Sequence, residues 1–594
     1  MKSSVRIGGA SGFWGDSSIG APQLVRHGAV DYLVFDYLAE LTMSIMAAQK
    51  IKNPEAGFAL DFVTVALKSV LREVVEKGIR VISNAGGVNP QACGRMIEQL
   101  AREMDIAVKV AIVLGDDVLP QIPALRAAGV TELQSGLPMP ENIVSANAYF
   151  GALPIKAALD AGAQIVVTGR CVDSAVTLGA LMHAFNWGPD DSDCLAQGSL
   201  AGHILECGAQ ATGGLFTDWE KVPDWENIGY PVTECFADGR FITTKPPGTG
   251  GLVTRAVISE QILYEIHDPA SYVLPDVICD FRQVVLRQVG PDQVEVTGAR
   301  GRAPTASYKV SSTYADGFKC SALLTIIGLD AAAKARRSGQ ALLARTRAMF
   351  NAQGLPDYSG TNIEVIGAES AYGPHSQAQA AREVMLRLTV SHPQKAALEL
   401  FAKEVAAPGT SFAPGTTGGG GRPAVAPSIK QFSFLHDKSR LRAAIVADGV
   451  RTEVAVPAGA PATPTAPTAP LGAIAAPPAA TGETEVALVS IAHGRSGDKG
   501  DISNIGIIAR SDAAWDFLRA WLTPERVAEY MAFAVKGRVT RYELPGIQAL
   551  NFVCEEALGG GGMASMRNDP LGKGMAQILL SMPVRVPRAL LATV

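Results

Sequence analysis

The chain reads as an α/β protein followed by an α+β unit and a small C-terminal α+β domain. Three observations predict this. Over residues 1–224, apolar β-rich runs alternate with helical stretches, the order that builds a parallel sheet covered on both faces. From residue 225 to 456, short strand-like runs follow one another among a few longer helices, an α+β pattern. Between Pro457 and Gly482 there is no charged residue and there are seven prolines among Ala and Thr; such a tract cannot bury a core and reads as an extended linker, assigned to 457–483. The domain organisation expected is therefore a core of 1–456, the linker, and a domain over 484–594.

Each element has its own signature. VRIGG, VDYLVFDYL, IRVISNAGG, VKVAIVLGDD and QIVVTGRC are apolar runs that end in polar or Gly-rich turns. Ligands on parallel sheets sit beyond the carboxyl ends of the strands, which points to Gly9–Asp16, Asn84–Asn89, Gly115–Asp117 and Thr168–Ser174. FALDFVTVALKSVLREVVEKG has helical periodicity. In the second unit, helices are expected over Leu329–Phe350, from Gln377, and over Gln394–Val405. Past the linker, strand–loop–strand, the helix AAWDFLRAWLTPERVAEYMAFA and a closing AQILLSMPVRVP suit a ferredoxin-like α+β sandwich.

Composition excludes several classes. With 594 residues, 47% of them hydrophobic and 18% charged, the chain is a multidomain globular protein rather than a disordered one. A net charge of −5 without Lys/Arg-rich runs leaves no nucleic-acid footprint. No apolar segment approaches the ~20 residues of a membrane span, and MKSSVRIGGASG lacks an apolar signal core. Eight scattered cysteines without a CxxC pair read as reduced thiols, so the cytoplasm is expected. Apolar stretches with few charges, such as Ala21–Leu41, predict a homo-oligomer.

The densest polar stretch is AHGRSGDKGDISN, read as a turn between the apolar runs ALVSIA and NIGIIA. It holds His493, Arg495, Lys499, Asp498, Asp501 and Asn504, interleaved with glycines that allow close approach. It is either a ligand loop, with Arg495 and Lys499 holding an anion and His493 and Asp498 handling protons, or a set of ordinary salt bridges. In LAGHILECGAQATGG, His203 and Glu206 share a helical face. They serve as an acid/base pair, as metal ligands, or as a hydrogen-bonded core pair; the second histidine of a zincin helix is missing. TGRCVDSA offers Arg170 to a carboxylate or phosphate, with Asp173 as its ion-pair partner or as a cap, whereas Cys171 reads as a buried thiol before a nucleophile. GGASGFWGDS places Gly12 and Asp16 in a Gly-rich turn; a dinucleotide fingerprint there lacks its TyrxxxLys and acidic partners. Asn84 ends a strand, and Arg422 closes the Gly-rich TTGGGGRP as a phosphate partner. No metal site and no bound cofactor are expected.

Assembled, GFWGD, DYLAELTMSIMA, SNAGGVNP, VTGRCVDSA, LAGHILECGAQATGG, GTGGLVT and EQILYEIHDPASYVLPDV, with AHGRSGDKGDISNIG and ALNFVCEEALGGGG past the linker, are collinear over nearly the whole chain. In these motifs the chain resembles the acyclic terpene utilisation (AtuA) family with its appended ferredoxin-fold domain. The resemblance implies acyclic terpene or branched-chain acyl-CoA catabolism, and with it a coenzyme A thioester or branched carboxylic acid as substrate. A hydratase, dehydratase or lyase needs an acid/base pair, oxyanion donors and cations, and the residues above supply each type. The alternative is a non-catalytic acyl-CoA-binding scaffold or accessory subunit.

Overall fold

A computed structural model describes residues 3–461 and 483–593. The backbone of the core domain is a mixed sheet of eleven strands. At its centre Ser4–Gly9, Tyr32–Phe35, Arg80–Ser83, Ile165–Val167 and Val110–Leu114 lie side by side and parallel. Tyr32–Phe35 and Ile165–Val167 are buried at every position, as strands covered on both faces must be. Antiparallel strands from later in the chain extend both edges: Val232–Phe236, Phe241–Thr244, Gln293–Thr297 and Val285–Gly290 on one side, Ala444–Ala447 and Val450–Glu453 on the other.

A second sheet forms around the long strand Ser307–Ile327, which pairs with Glu383–His392, Ala426–Asp437 and also Ile143–Ala148. The expected division at residue 224 is therefore not one between sheets, because later strands complete the first sheet and an early strand joins the second. Two other expectations change. No helix starts at Gln377; a few residues between the turn at Ser370–His375 and the strand Glu383–His392 are too short to nucleate one. The C-terminal helix is two, Asp512–Trp521 and Pro524–Tyr530, because Thr523 caps a new start by accepting from the Arg526 N–H, with Pro524 at the first helical position. The expected linker falls almost entirely outside the described residues.

The C-terminal domain is a four-stranded antiparallel sheet in the order Ala492–Lys499, Ile502–Ala509, Ala549–Cys554, Val539–Leu544. One face carries Ile505, Ile507, Leu550 and Phe552 into a core shared with the domain's helices. The other presents His493, Arg495, Gly497, Lys499, Asn504, Gly506 and Asn551 to the core domain. The stretch expected to be a turn is thus mostly strand, and only Gly500 and Asp501 turn. Its polar residues misled the reading because they dock on another domain's backbone instead of on water.

Docking centres on an amide pair. Asn504 and Asn551, both fully buried, exchange two hydrogen bonds of 2.9 Å. Asn504 also donates to the Leu263 carbonyl (2.8 Å) and accepts from the His267 N–H (2.9 Å), while Asn551 donates to the His267 carbonyl (2.6 Å). Glycines let the surfaces meet: a Cβ on Gly506 would lie 2.6 Å from Leu263 Cβ, and one on Gly497 2.6 Å from Glu265 Oε1. Asn504→Ala should destabilise the docked state by about 1–3 kcal/mol for each buried group it strands. Amide exchange at His267 should then quicken; exchange at the wild-type rate would contradict a clamp.

Candidate functional site

The carboxyl ends of the parallel strands place the first functional groups together, as expected of such a sheet. Asp36 follows Tyr32–Phe35, Asn84 follows Arg80–Ser83, and Thr168–Arg170 follow Ile165–Val167. Asn84 accepts from the Tyr37 N–H (2.8 Å) and donates to Asp36 Oδ1 (2.5 Å). Burial, then the charge of Asp173, pushes the Asp36 carboxyl well above the ordinary range. Arg170 is buried, with Nη1 donating to Asp173 Oδ1 (2.8 Å) and to the Leu38 carbonyl (2.9 Å), and its guanidinium lies 4.1 Å from the centre of the Tyr149 ring. Tyr149 in turn donates to Glu40 Oε1 (2.6 Å), with Lys309 Nζ 3.8 Å from the same oxygen. Burial opposes the charge on Glu40, but Lys309 and Arg170 prevail and hold it down at about 2.

Beside this cluster the helix Ser192–Leu205 delivers His203, with Glu206 at its C-terminal end. His203 Nε2 is 2.9 Å from the Gln261 carbonyl, which only accepts, so Nε2 carries a proton. Nδ1 then faces Glu206 Oε1 at 2.8 Å, a contact that requires one more proton between them. Burial, over the pull of His203, raises Glu206; burial works against charge on His203, but Glu206 overcomes it and raises the imidazole too. The pair therefore shares a proton and titrates as a unit. Both imidazole nitrogens are engaged, so His203 positions Glu206 and tunes it without touching a ligand. The charge on Glu206 is felt by Asp36, and Glu206 in turn feels Asp173 and Lys499.

Lys499 comes from the other domain. Its Nζ donates to the Glu265 carbonyl (2.9 Å) and lies 5.2 Å from the centre of the Tyr272 ring. Burial, then Lys499, lowers His267 to about 3, a neutral imidazole whose buried Nε2 has no partner among the described residues. Lys309 is also lowered, by burial and by Lys499 among its neighbours. Glu265 and His267 hold left-handed backbone (φ 60 and 56), strain typical of functional segments. Lys573 Nζ bonds the Tyr264 hydroxyl and Glu265 Oε1 (2.9 Å) and lies 3.5 Å from Asp498 Oδ1. Burial and Glu265 raise Asp498 to about 7 despite Lys573. Mutual charge coupling thus ties Asp36, Glu40, Arg170, Asp173, Glu206, Lys309, Asp498 and Lys499 together at the domain junction, the interdomain cleft.

Other expected residues lie elsewhere. His493 is on the opposite face of its strand from Asp498; it stacks on Phe216 and takes a 3.0 Å hydrogen bond from Arg510, which pairs with Asp218. Burial, then Arg510, lowers it to about 4, so it is a neutral part of the domain interface. Arg495 is buried, bonding Gln210 and the Leu215 carbonyl (3.2 Å), and is not the exposed anion hook that a loop would offer. Asp501 accepts from the N–H groups of Leu558 and Gly560, and Asn504 is the docking clamp. Asp16 accepts from the Gly12 N–H (2.9 Å) and from the Tyr230 hydroxyl (2.9 Å), closing a turn whose Gly12 packs on the Cys207 backbone. Arg422 lines a separate groove with Gly418, Gly419 and Lys403. Cys171 is buried and its thiol is pushed up to about 12, against any nucleophile. Among the described residues no three His, Cys, Asp or Glu side chains converge as a metal site. Sequence reasoning missed Glu40, Lys309, Glu265, His267 and Lys573; Glu40 lies in DYLAELTMSIMA and Glu265 and His267 in EQILYEIHDPASYVLPDV, yet only tertiary contacts and domain docking give these five their place.

Family models supply the comparison. Residues 5–447 match the acyclic terpene utilisation family protein AtuA, and residues 486–585 match the AtuA ferredoxin-like domain. The chain belongs to the AtuA family. No curated protein matched it, and no solved structure did. The two AtuA matches fall on the two domains whose junction forms the cleft. Among the described residues no helix is long and apolar enough to cross a membrane.

The raised Asp498 makes stability depend on pH. The unfolded chain ionises it near 3.8 while the folded chain keeps its proton to about 7, so its stabilisation is complete below the lower value and is lost as pH rises through the upper one. The loss is at most about 1.4 kcal/mol per pH unit. Asp498→Asn should therefore melt increasingly above wild type from about pH 4 to about pH 7 and keep that margin at higher pH, a comparison in which Glu260, also raised to about 7, cancels. A constant difference in melting temperature would contradict this assignment.

Proposed function

We propose that this AtuA-family protein is an enzyme of acyclic terpene or branched-chain acyl-CoA breakdown, a hydratase, dehydratase or lyase working by acid/base chemistry in the interdomain cleft. The observation that carries the reading is the proton-sharing Glu206–His203 pair beside Lys499, a cation supplied by the other domain. In a dehydration, ionised Glu206 takes the proton from Cα of a thioester. The electron pair forms the Cα–Cβ double bond as the Cβ–O bond breaks, and Asp498, still protonated near neutrality, gives its proton to the departing hydroxyl, releasing water. Lys499 and Lys309 face the negative charge that develops on the thioester oxygen, in a low-dielectric setting where such contacts are strong. Hydration is the reverse.

The negative charges of Glu40, Asp173 and Glu206 favour an acyl head group inside the cleft and keep the coenzyme phosphates outside it. Arg170 and Arg495 already hold protein partners, so they are not assigned to those phosphates.

The test is turnover of a β-methyl-branched enoyl-CoA, followed by loss of its conjugated absorbance. Glu206→Gln should lower kcat roughly a hundredfold to ten-thousandfold with the melting temperature little changed. Lys499→Ala should lower kcat/KM. Tight binding of the thioester with no turnover in the wild type would instead favour the non-catalytic acyl-CoA scaffold.

A further inference from the structure

The domains enclose a second concavity, of about 470 Å³, next to the polar cleft. Its core-domain wall is Leu215, Phe216, Trp219, Trp225 and Ile228; the opposite wall is the strand Ala492–Lys499 and the helix Met575–Leu580. Leu215, Trp219 and Trp225 are 68%, 57% and 57% exposed, so three large apolar side chains face open space at one place. The display is held in position. Leu215 sits at φ 62, a backbone that leucine rarely adopts, and Arg495 from the other domain donates to its carbonyl at 3.2 Å. Trp219 and Trp225 pack edge to face at 6.0 Å, and the Trp225 N–H is spent on the Val222 carbonyl (2.9 Å).

Few polar groups on the lining are free to read a polar ligand. The Thr217 hydroxyl is engaged with Gly494, and the Ser496 hydroxyl with Gly572. Arg495 and Lys573 are the cations on the lining, and Lys573 also touches Glu265 and Asp498 of the cleft. The volume lies within the roughly 300–1,000 Å³ of small-molecule sites, while a stable protein partner needs a far broader patch, about 800 Å² on each side.

We propose that this concavity binds an aliphatic chain of medium length, linear or methyl-branched, with its polar end at Lys573. That the chain belongs to the molecule transformed in the cleft rests on the reading above; that the concavity takes an aliphatic chain does not. Ten methylenes, each displacing about one water's ~30 Å³, fill some 300 Å³ and so fit.

The probes are 1-hexanol, 1-octanol and 1-decanol, which carry no coenzyme, titrated into the full-length protein by calorimetry and by tryptophan fluorescence. Affinity should rise roughly fourfold per added methylene, and decanol should shift the tryptophan emission. Trp219→Ala and Leu215→Asp, both at exposed positions, should each weaken decanol at least tenfold, with Trp219→Phe restoring most of the loss. Equal affinity across the alcohols, or wild-type decanol binding by both variants, would overturn the proposal. Chain-length dependence without turnover of any thioester would leave the chain site standing and sink the acid/base reading; turnover with no alcohol binding would do the reverse.

Discussion

The reciprocal amide pair of Asn504 and Asn551 sets the register between the two domains, and the cleft depends on that register. Each asparagine presents one donor and one acceptor to its partner and spends its remaining capacity on the backbone at Leu263 and His267. An amide buried at a domain junction is tolerable only when fully satisfied, so the pair accepts one alignment and penalises neighbouring ones. The backbone it grips is the segment bearing Glu265 and His267 in left-handed conformation. The same sheet face carries Lys499, which reaches the Glu265 carbonyl. Fixing the clamp therefore fixes the cation against the core domain's acids.

The electrostatics of the cleft follow from burial among mixed charges. Carboxyls that meet a cation directly stay ionised, as Glu40 does beside Lys309. Those that meet other carboxyls keep their protons, as Asp36 does beside Asp173 and Asp498 beside Glu265. One fold thus holds acids in opposite protonation states at the same pH, the condition for having both a donor and an acceptor of protons. His203 extends this by sharing a proton with Glu206 from a site that no ligand reaches.

Much of this was legible in the sequence, and the limits are physical. The parallel strands and their carboxyl-terminal turns follow from alternation of apolar runs, and in the fold Asn84, Arg170 and Asp173 lie at that end of the sheet around Asp36. Helical spacing put His203 and Glu206 on one face, which is where they meet. The polar stretch from His493 to Asn504 stands out in sequence yet reads as a turn, since periodicity reports burial in apolar surroundings and this strand is buried against polar backbone. Its residues then separate along the strand: Lys499 at its end toward the cleft, His493 near its start into an Arg510–Asp218 network. Glu40 and Lys309 carry no local signal, because they come together from the start of the helix Glu40–Lys52 and the strand Ser307–Ile327, far apart in the chain.

The central claim is that Glu206 moves a proton at the carbon next to a thioester within this cleft. Deuterium incorporation from D2O at Cα of a β-hydroxy, β-methyl acyl-CoA, followed by NMR, measures that step without requiring net turnover. The account predicts incorporation by the wild type and its near-complete loss in Glu206→Gln with the fold intact. Undiminished incorporation by a folded Glu206→Gln variant would contradict it.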